Sequence, residues 1–146
     1  MLDQGGQLMI DFENYFYDEY QFSLKNAEYR RIDSNDADVR PEIQVRDRVD
    51  TSINNGNLEV TFERKVFFEP EALYAIDIAF TLILRFKPGQ PAEDAAGIDW
   101  GEELKENGGI FWGNIVGRAS YLIASLTSSY GQQPLVTPPS IIGQPR

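Results

Sequence analysis

The sequence contains no histidine and no cysteine in its 146 residues. These two absences remove the commonest general base, every metal site built on imidazole or thiolate ligands, thiol nucleophiles and any disulfide framework. Catalysis would have to rely on carboxylates, Lys, Tyr and Ser. We therefore expect a protein that is not an enzyme and that carries no cofactor.

Basic residues and long apolar runs are also scarce. The chain has 13 Lys and Arg against 23 Asp and Glu, a net charge of −10. Such a charge repels phosphate backbones, so nucleic acid is not an expected partner. The longest apolar run, residues 75–84, is interrupted by Asp77 and is too short to span a bilayer. Residues 1–7 lack the features of a secretory signal. We expect a cytoplasmic protein without membrane insertion.

Two short groups of acidic residues are candidate sites: Asp33, Asp36 and Asp38 for a hard metal ion, and Glu102, Glu103 and Glu106 for a carboxylate cluster. The first cluster is similar in spacing to a calcium-binding loop but lacks the bidentate Glu at the twelfth position. The second is typical of the first turn and exposed face of a helix, where carboxylates interact favourably with the helix dipole. We therefore predict no metal site.

Hydrophobic residues make up 42% of the chain and aromatic residues 12%, enough for the core of one domain spanning residues 1–146. Apolar and polar residues alternate with a period of two in residues 8–24, 58–68 and 74–86, and more weakly in 42–49. This pattern predicts half-buried strands. The short connections at 54–57 and 69–71 favour antiparallel pairing. We predict a four-stranded antiparallel sheet over residues 8–86, with either an excursion or a short edge piece at 26–40.

A different pattern follows the sheet. Residues 87–109 read as a crossover loop that holds a short helix over residues 100–106, with Asp99 as its N-cap. Apolar residues at helical spacing then predict a long helix over residues 110–131, with Asn114 as a possible N-cap. Residues 132–146 form an extended Pro-rich tail. The fold class is therefore α+β, with one long and one short helix.

Small residues recur along one side of the predicted long helix: Gly113, Gly117, Ser120, Ala124 and Ser128. Small side chains allow another backbone to approach closely. The row is offset from the apolar stripe of the helix, which favours a contact with another subunit over packing on the chain's own sheet. The sheet also carries more aromatic residues than one helix can cover. The excess indicates either a subunit interface or an apolar groove suited to extended peptide.

Several segments of the sequence resemble SecB, the export chaperone. The long helix contains Asn114-Ile115-Val116-Gly117-Arg118-Ala119-Ser120, and the Pro-Leu-x-x-Pro-Pro pattern follows in Gln133-Pro134-Leu135-Val136-Thr137-Pro138-Pro139. Residues 72–78 resemble the family strand with an acidic residue that docks the translocase ATPase SecA, and Asp77 matches that position. Residues 19–22 match a family segment of the first strand, in which Glu19 is the acidic residue. The family's second acidic contact on that strand falls at Ser23.

The resemblance implies a homotetramer, formed as a dimer of dimers with helices sandwiched between sheets. It implies ATP-independent holding of unfolded polypeptide, with a role in protein export, and docking of SecA at Asp77 and Glu19. Extended chains would lie in grooves between the 87–109 loop, the sheet and the long helix. The aromatic residues proposed for the groove walls are Tyr15, Tyr17, Phe67, Trp100, Phe111 and Trp112.

Three alternatives remain open at this stage. A SecB-like module with one dedicated client, such as an antitoxin, would share the same pattern without the general export role. An enzyme built on carboxylates would need acidic groups converging in one pocket. Finally, all but three of the 23 acidic residues lie in residues 1–100, and they form either a solvated sheet face or a docking surface.

Overall fold

The computed structural model describes residues 15–33, 38, 40–88, 97–107, 109–129 and 133–138. Its elements are β1 (Phe16–Ile32), β2 (Glu42–Asn54), β3 (Asn57–Glu69), β4 (Leu73–Phe86), α1 (Trp100–Asn107) and α2 (Gly109–Ser128). The strands form one antiparallel sheet in the order β1-β4-β3-β2. Within the described residues, the predicted α+β architecture with a four-stranded antiparallel sheet and two helices is confirmed. Residues 8–14 of the predicted first strand lie outside the described residues.

The β2–β3 hairpin is closed by the turn that the sequence predicts. Asn54 pairs with Asn57, and the two residues between them, Asn55 and Gly56, have φ angles of 53° and 76°. Positive φ at both central positions is the geometry that Asn-Gly adopts readily in two-residue hairpins. This turn sets the register in which β2 and β3 pair along their full length.

Strand β1 changes its phase at an irregularity between Leu24 and Asn26. Before this point the even-numbered residues share the face of Leu82 and Leu84, whereas afterwards the odd-numbered residues do. Tyr29 therefore lies on the core face and stacks on Tyr74, with ring centroids 5.5 Å apart. Residues 26–32 thus complete the edge strand β1.

Both helices pack on one face of the sheet, which we call the covered face. The core there combines alternate residues of β3 and β4 with the apolar side of α2, including Phe62, Ile78, Ile115 and Ile123. The other residues of the strands face the second side of the sheet, which we call the open face. No described helix packs on it. No helix in the described part of the chain is long and apolar enough to cross a membrane.

The helix starts agree with one prediction and correct another. Asp99 caps α1, because its Oδ1 accepts a hydrogen bond from the Glu102 amide at 3.2 Å. Asn114 lies inside α2 and is not its N-cap, so that prediction was wrong. Helix α2 begins at Gly109, one residue before the predicted bound, and its first turn brings the Trp112 ring to 5.6 Å from Phe62 in the core. Burial of this large side chain stabilises the helical turn that precedes Asn114.

Candidate functional site

An apolar patch lies where β1 and α2 meet on the covered face. Arg118 of α2 lies over the Phe22 ring of β1, with its guanidinium carbon 5.2 Å from the ring centroid. On either side of Phe22, Tyr20 and Leu24 are 36% and 51% exposed, and one helical turn beyond Arg118, Tyr121 is 73% exposed. We call these five residues the β1–α2 patch. Apolar area concentrated in this way is typical of interaction surfaces.

The row of small residues predicted to form an oligomer interface borders this patch. Gly113 and Ser128 are exposed, while Gly117 and Ala124 are partly buried. A Cβ atom added at Gly113 or Gly117 would meet no atom within 4 Å. This side of α2 is therefore accessible to a second backbone within the described structure, and its use by a second copy remains a prediction.

Ser120, the fifth member of the predicted row, has intramolecular partners. Its hydroxyl lies 2.9 Å from Thr137 Oγ1 and accepts a hydrogen bond from Arg64 at 3.1 Å. Ser120 thus lies at the edge of the row and contacts the C-terminal segment. This contact between Ser120 and the C-terminal segment was not predicted from the sequence.

The six predicted groove residues fall into separate locations. Trp100 is 2% exposed and packs edge-on against Tyr15 at 5.4 Å, so the structure brings these two rings together at the start of α1. Trp112 is 5% exposed and belongs to the core. The side chain of Phe111 lies outside the described residues.

Tyr17 and Phe67 lie on the open face, each under an arginine. The Arg85 guanidinium carbon is 4.2 Å from the Tyr17 ring centroid, and that of Arg46 is 4.9 Å from the Phe67 ring centroid. Both rings are partly buried. Phe67 follows the Val66–Ile76 pair, so β4 separates the two rings by about 30 Å at roughly 3.3 Å per residue. The structure therefore presents two separate aromatic sites rather than one.

A second part of the open face is a groove of about 420 Å³ with a mixed lining that includes Glu28, Arg30, Lys65, Phe67 and Asp77. Asp77 of β4 pairs in register with Glu28 of β1 and Lys65 of β3. The predicted docking residue Glu19 lies nine residues before Glu28 on β1, so the structure does not bring it to Asp77. The carboxylate neighbours of Asp77 are Glu28 and Glu63.

Partial burial and the neighbouring Glu63 carboxyl raise the pKa of Asp77 above its usual value of 3.8, against a smaller lowering by Lys65. Partial burial is the larger cause of the raised pKa and disfavours the charged form of Asp77. Glu63 adds a hydrogen bond and a like charge. Asp77 Oδ1 is buried without a hydrogen-bond partner among the described atoms. The docking candidate is thus a carboxyl group whose ionisation has an energetic cost.

Replacing Asp77 with Asn is expected to stabilise the protein at pH 7, by about 0.5 kcal/mol after allowing for solvent screening of a part-exposed group. A raised folded-state pKa means that ionised Asp77 opposes folding, so its unfavourable contribution is lost as pH falls towards 3.8. Urea unfolding at pH 7 and pH 3.5 should show the gain at pH 7 only. Glu19→Gln, at an exposed position on β1, is the control; an equal gain there would contradict the assignment.

The most buried polar cluster of the described structure was missed by sequence analysis. Asp47 and Arg64 form a bidentate ion pair with two N–O distances of 2.7 Å, and neither side chain is exposed. They face each other across β2 and β3. Asp47 and Arg64 both occupy positions at which the alternation of their strands places apolar, inward-facing residues. Two opposite charges at inward positions are the sequence signal that could have revealed the pair.

Arg64 also contacts the C-terminal segment. Its Nη1 donates to the Pro138 carbonyl at 2.6 Å and to Thr137 Oγ1 at 3.0 Å. Residues 133–138, which we call the strap, thereby lie against β3 and α2 without forming regular secondary structure. The ion pair is buried between β2 and β3, and its arginine binds the strap.

Comparison with known proteins shows the fold. No family model matches the chain, and no curated protein matches it. Among solved structures, it resembles the Mycobacterium tuberculosis Rv1957 SecB-like chaperone, solved in complex with a ChAD peptide from the Rv1956 HigA1 antitoxin. The TM-score is 0.56 at 10% sequence identity, over 82% of this chain and 89% of that one. The chain therefore has a SecB-like α+β fold.

Proposed function

We propose that this protein is an ATP-independent chaperone that binds unfolded or non-native polypeptide. The likeness of its fold to a SecB-like chaperone that carries a bound peptide is the observation that supports this function. The partly exposed Tyr17 and Phe67 rings on the open face are consistent with it, since chain segments in extended form are recognised largely through apolar and aromatic surfaces.

Tyr17 and Phe67 are the best placed of the groove candidates to contact a client. Each ring is partly exposed on the open face, and the two lie about 30 Å apart. An extended client of about ten residues spans this distance, and two weak contacts on one chain give avidity without sequence specificity. Tyr15, Trp100 and Trp112 lie on the covered face, and we keep them as candidates for the floor of a groove there. Phe111 remains a candidate from the sequence alone.

A second copy of the chain is the proposed partner of the small-residue row on α2. Gly113, Gly117 and Ala124 leave space beside the helix, and the exposed Tyr121 ring adjoins them. A dimer or tetramer formed here would bury the β1–α2 patch. Asp77 and Glu19 are the proposed docking residues if the protein serves export through SecA, as two separate contacts rather than one.

The second candidate function is a module with one dedicated client of the antitoxin class. The observation that favours it is the antitoxin peptide bound to the similar Rv1957 protein. The two candidates differ in client range. A general chaperone suppresses aggregation of several unrelated denatured proteins, whereas a dedicated module acts on one client.

Replacing both Tyr17 and Phe67 with Ser is expected to weaken client binding by roughly tenfold or more, because each buried aromatic contact contributes about 1 kcal/mol or more. Light scattering of three unrelated denatured proteins, titrated with wild type and variant, measures the effect. The control replaces Thr61 and Thr81, which pair on the same face, with Ser. Failure of the wild-type protein to suppress any aggregation would reject the general chaperone, and equal activity of both variants would reject these two sites.

A further inference from the structure

The strap is bound to the rest of the chain as an extended peptide is bound to a receptor. The Leu135 amide donates to Thr127 Oγ1 at 2.8 Å. The Ser120 hydroxyl lies 3.3 Å from the carbonyl oxygens of both Thr137 and Pro138 and donates its single proton to one acceptor at a time. Arg64 donates to the same Pro138 carbonyl. Among the described residues, these hydrogen bonds of the strap all end on side chains of β3 or α2 rather than on the backbone of a strand.

Most of these hydrogen bonds involve backbone groups of the strap. One amide and two carbonyls are bound, and any polypeptide offers the same groups. Two side chains are also held: Leu135 packs against the core, and Thr137 is 3% exposed. Val136 between them points outward, with 80% of its side chain exposed. The slot formed by Arg64, Ser120 and Thr127 thus selects an apolar residue followed two positions later by a hydroxyl-bearing or small residue.

The slot is built to persist when the strap leaves. Asp47 holds Arg64 through Nε and Nη2, so the Nη1 group that contacts the strap is not needed for the ion pair. Thr127 Oγ1 has second partners within α2, the carbonyls of Ile123 and Ala124 at 2.9 and 3.1 Å. A segment that is held by side-chain contacts and has no sheet pairing belongs to the parts of a protein that open before the core.

We propose that this slot binds an extended segment of a client polypeptide in place of the strap. This inference rests on the proposed chaperone function and gives it a defined site and a competitor. The strap is tethered to α2, so it competes at an effective concentration on the order of millimolar. Clients with the spacing of Leu135 and Thr137 displace it best, and clients without that spacing bind through the backbone contacts alone.

The first test is direct peptide binding to the full chain. The probe is a fluorescein-labelled peptide with the sequence of residues 132–141, followed by fluorescence anisotropy. The double variant Leu135→Ala, Thr137→Val weakens the strap and leaves the slot intact, so it should bind the probe about tenfold more tightly than wild type. Val136→Ala, which alters an exposed strap residue, is the matched control and should match wild type. Equal affinity of the double variant and the control overturns the proposal.

The second test needs no variant. In wild-type protein, hydrogen exchange of the Leu135 amide should be at least tenfold faster than that of Phe62 in the centre of β3, because the strap opens without unfolding the sheet. Exchange of both amides at the same rate, through global unfolding only, overturns the proposal.

The third arm separates this inference from the chaperone function. Reduced, carboxymethylated lactalbumin, a permanently unfolded polypeptide, should displace the labelled peptide from the double variant. If it binds the protein but leaves the labelled peptide in place, the slot is not a client site and the chaperone function stands. If it binds nowhere while the labelled peptide still exchanges with the strap, the client role of the slot and the chaperone function both fail.

Discussion

Replacing Asp47 with Ala is expected to lower the free energy of unfolding by about 3–5 kcal/mol, the largest effect that we predict for a single substitution. Arg64 would keep its charge at a position with no solvent exposure and lose its bidentate partner. The hydrogen bonds from Arg64 to the hydroxyl groups of Ser120 and Thr137 supply no opposite charge. Urea unfolding followed by circular dichroism measures the loss.

The same strand offers a matched control. Asp50 forms an ion pair with Arg48 at 2.9 Å, but both side chains are more than half exposed. Asp50→Ala should therefore cost less than 1 kcal/mol. Equal losses at Asp47 and Asp50 would contradict the importance of burial.

A second variant covers the case in which Asp47→Ala does not fold. Asp47→Leu combined with Arg64→Met replaces the buried charges with apolar groups of similar size, a change that is often neutral or stabilising in other proteins. The double variant should recover most of the lost stability, although it also removes the arginine that holds the strap. Failure of this variant to fold would show that the ion pair does more than satisfy its own charges.

Replacing Gly117 with Leu is expected to break self-association while leaving the individual chain folded. A Cβ atom added at this position meets no atom within 4 Å among the described residues, and Leu favours a helix over Gly by about 0.8 kcal/mol. A second backbone approaching the row would instead meet four additional carbon atoms. Native mass spectrometry should show monomers where the wild-type protein forms dimers or tetramers, with a dissociation constant raised by at least a hundredfold.

Gly117→Ala is the control, because its single methyl group keeps the row small and improves helix propensity to a similar degree. It should remain oligomeric. A Leu variant that assembles as well as wild type would reject the row as an interface, and a monomeric wild-type protein would reject assembly altogether. Either outcome can be interpreted because both variants should have an unfolding temperature equal to or above that of the wild-type protein.

Much of the sheet could be predicted because its information is local. Along β4, Tyr74, Ile76 and Ile78 point to the same side simply because side chains alternate in a strand, and that alternation is visible in the sequence. The β2–β3 turn was predictable for a similar reason, since Asn-Gly tolerates the positive φ angles that a two-residue hairpin needs.

The prediction failed where distant residues decide a local conformation. The irregularity after Leu24 places Tyr29 on the core face, and only the pairing of β1 with β4 shows it. The position of Asn114 inside α2, rather than at its N-cap, depends on the burial of Trp112 against Phe62 in the first turn. Among the groove candidates, Tyr17 and Phe67 share a face but lie far apart, because sequence shows the phase of a side chain and not its distance from others.

The alternating strands were enough to predict an α+β protein with a four-stranded antiparallel sheet, because periodicity acts residue by residue. The SecB-like form of that fold was implied by the resemblance of residues 114–120 and 133–139 to the family. The pairing of Asp47 with Arg64, and the capture of Thr137 and Pro138 by that arginine, depended on tertiary structure. Asp47 and Thr137 are 90 positions apart in the chain, and a buried charge becomes tolerable only when folding brings its partners together.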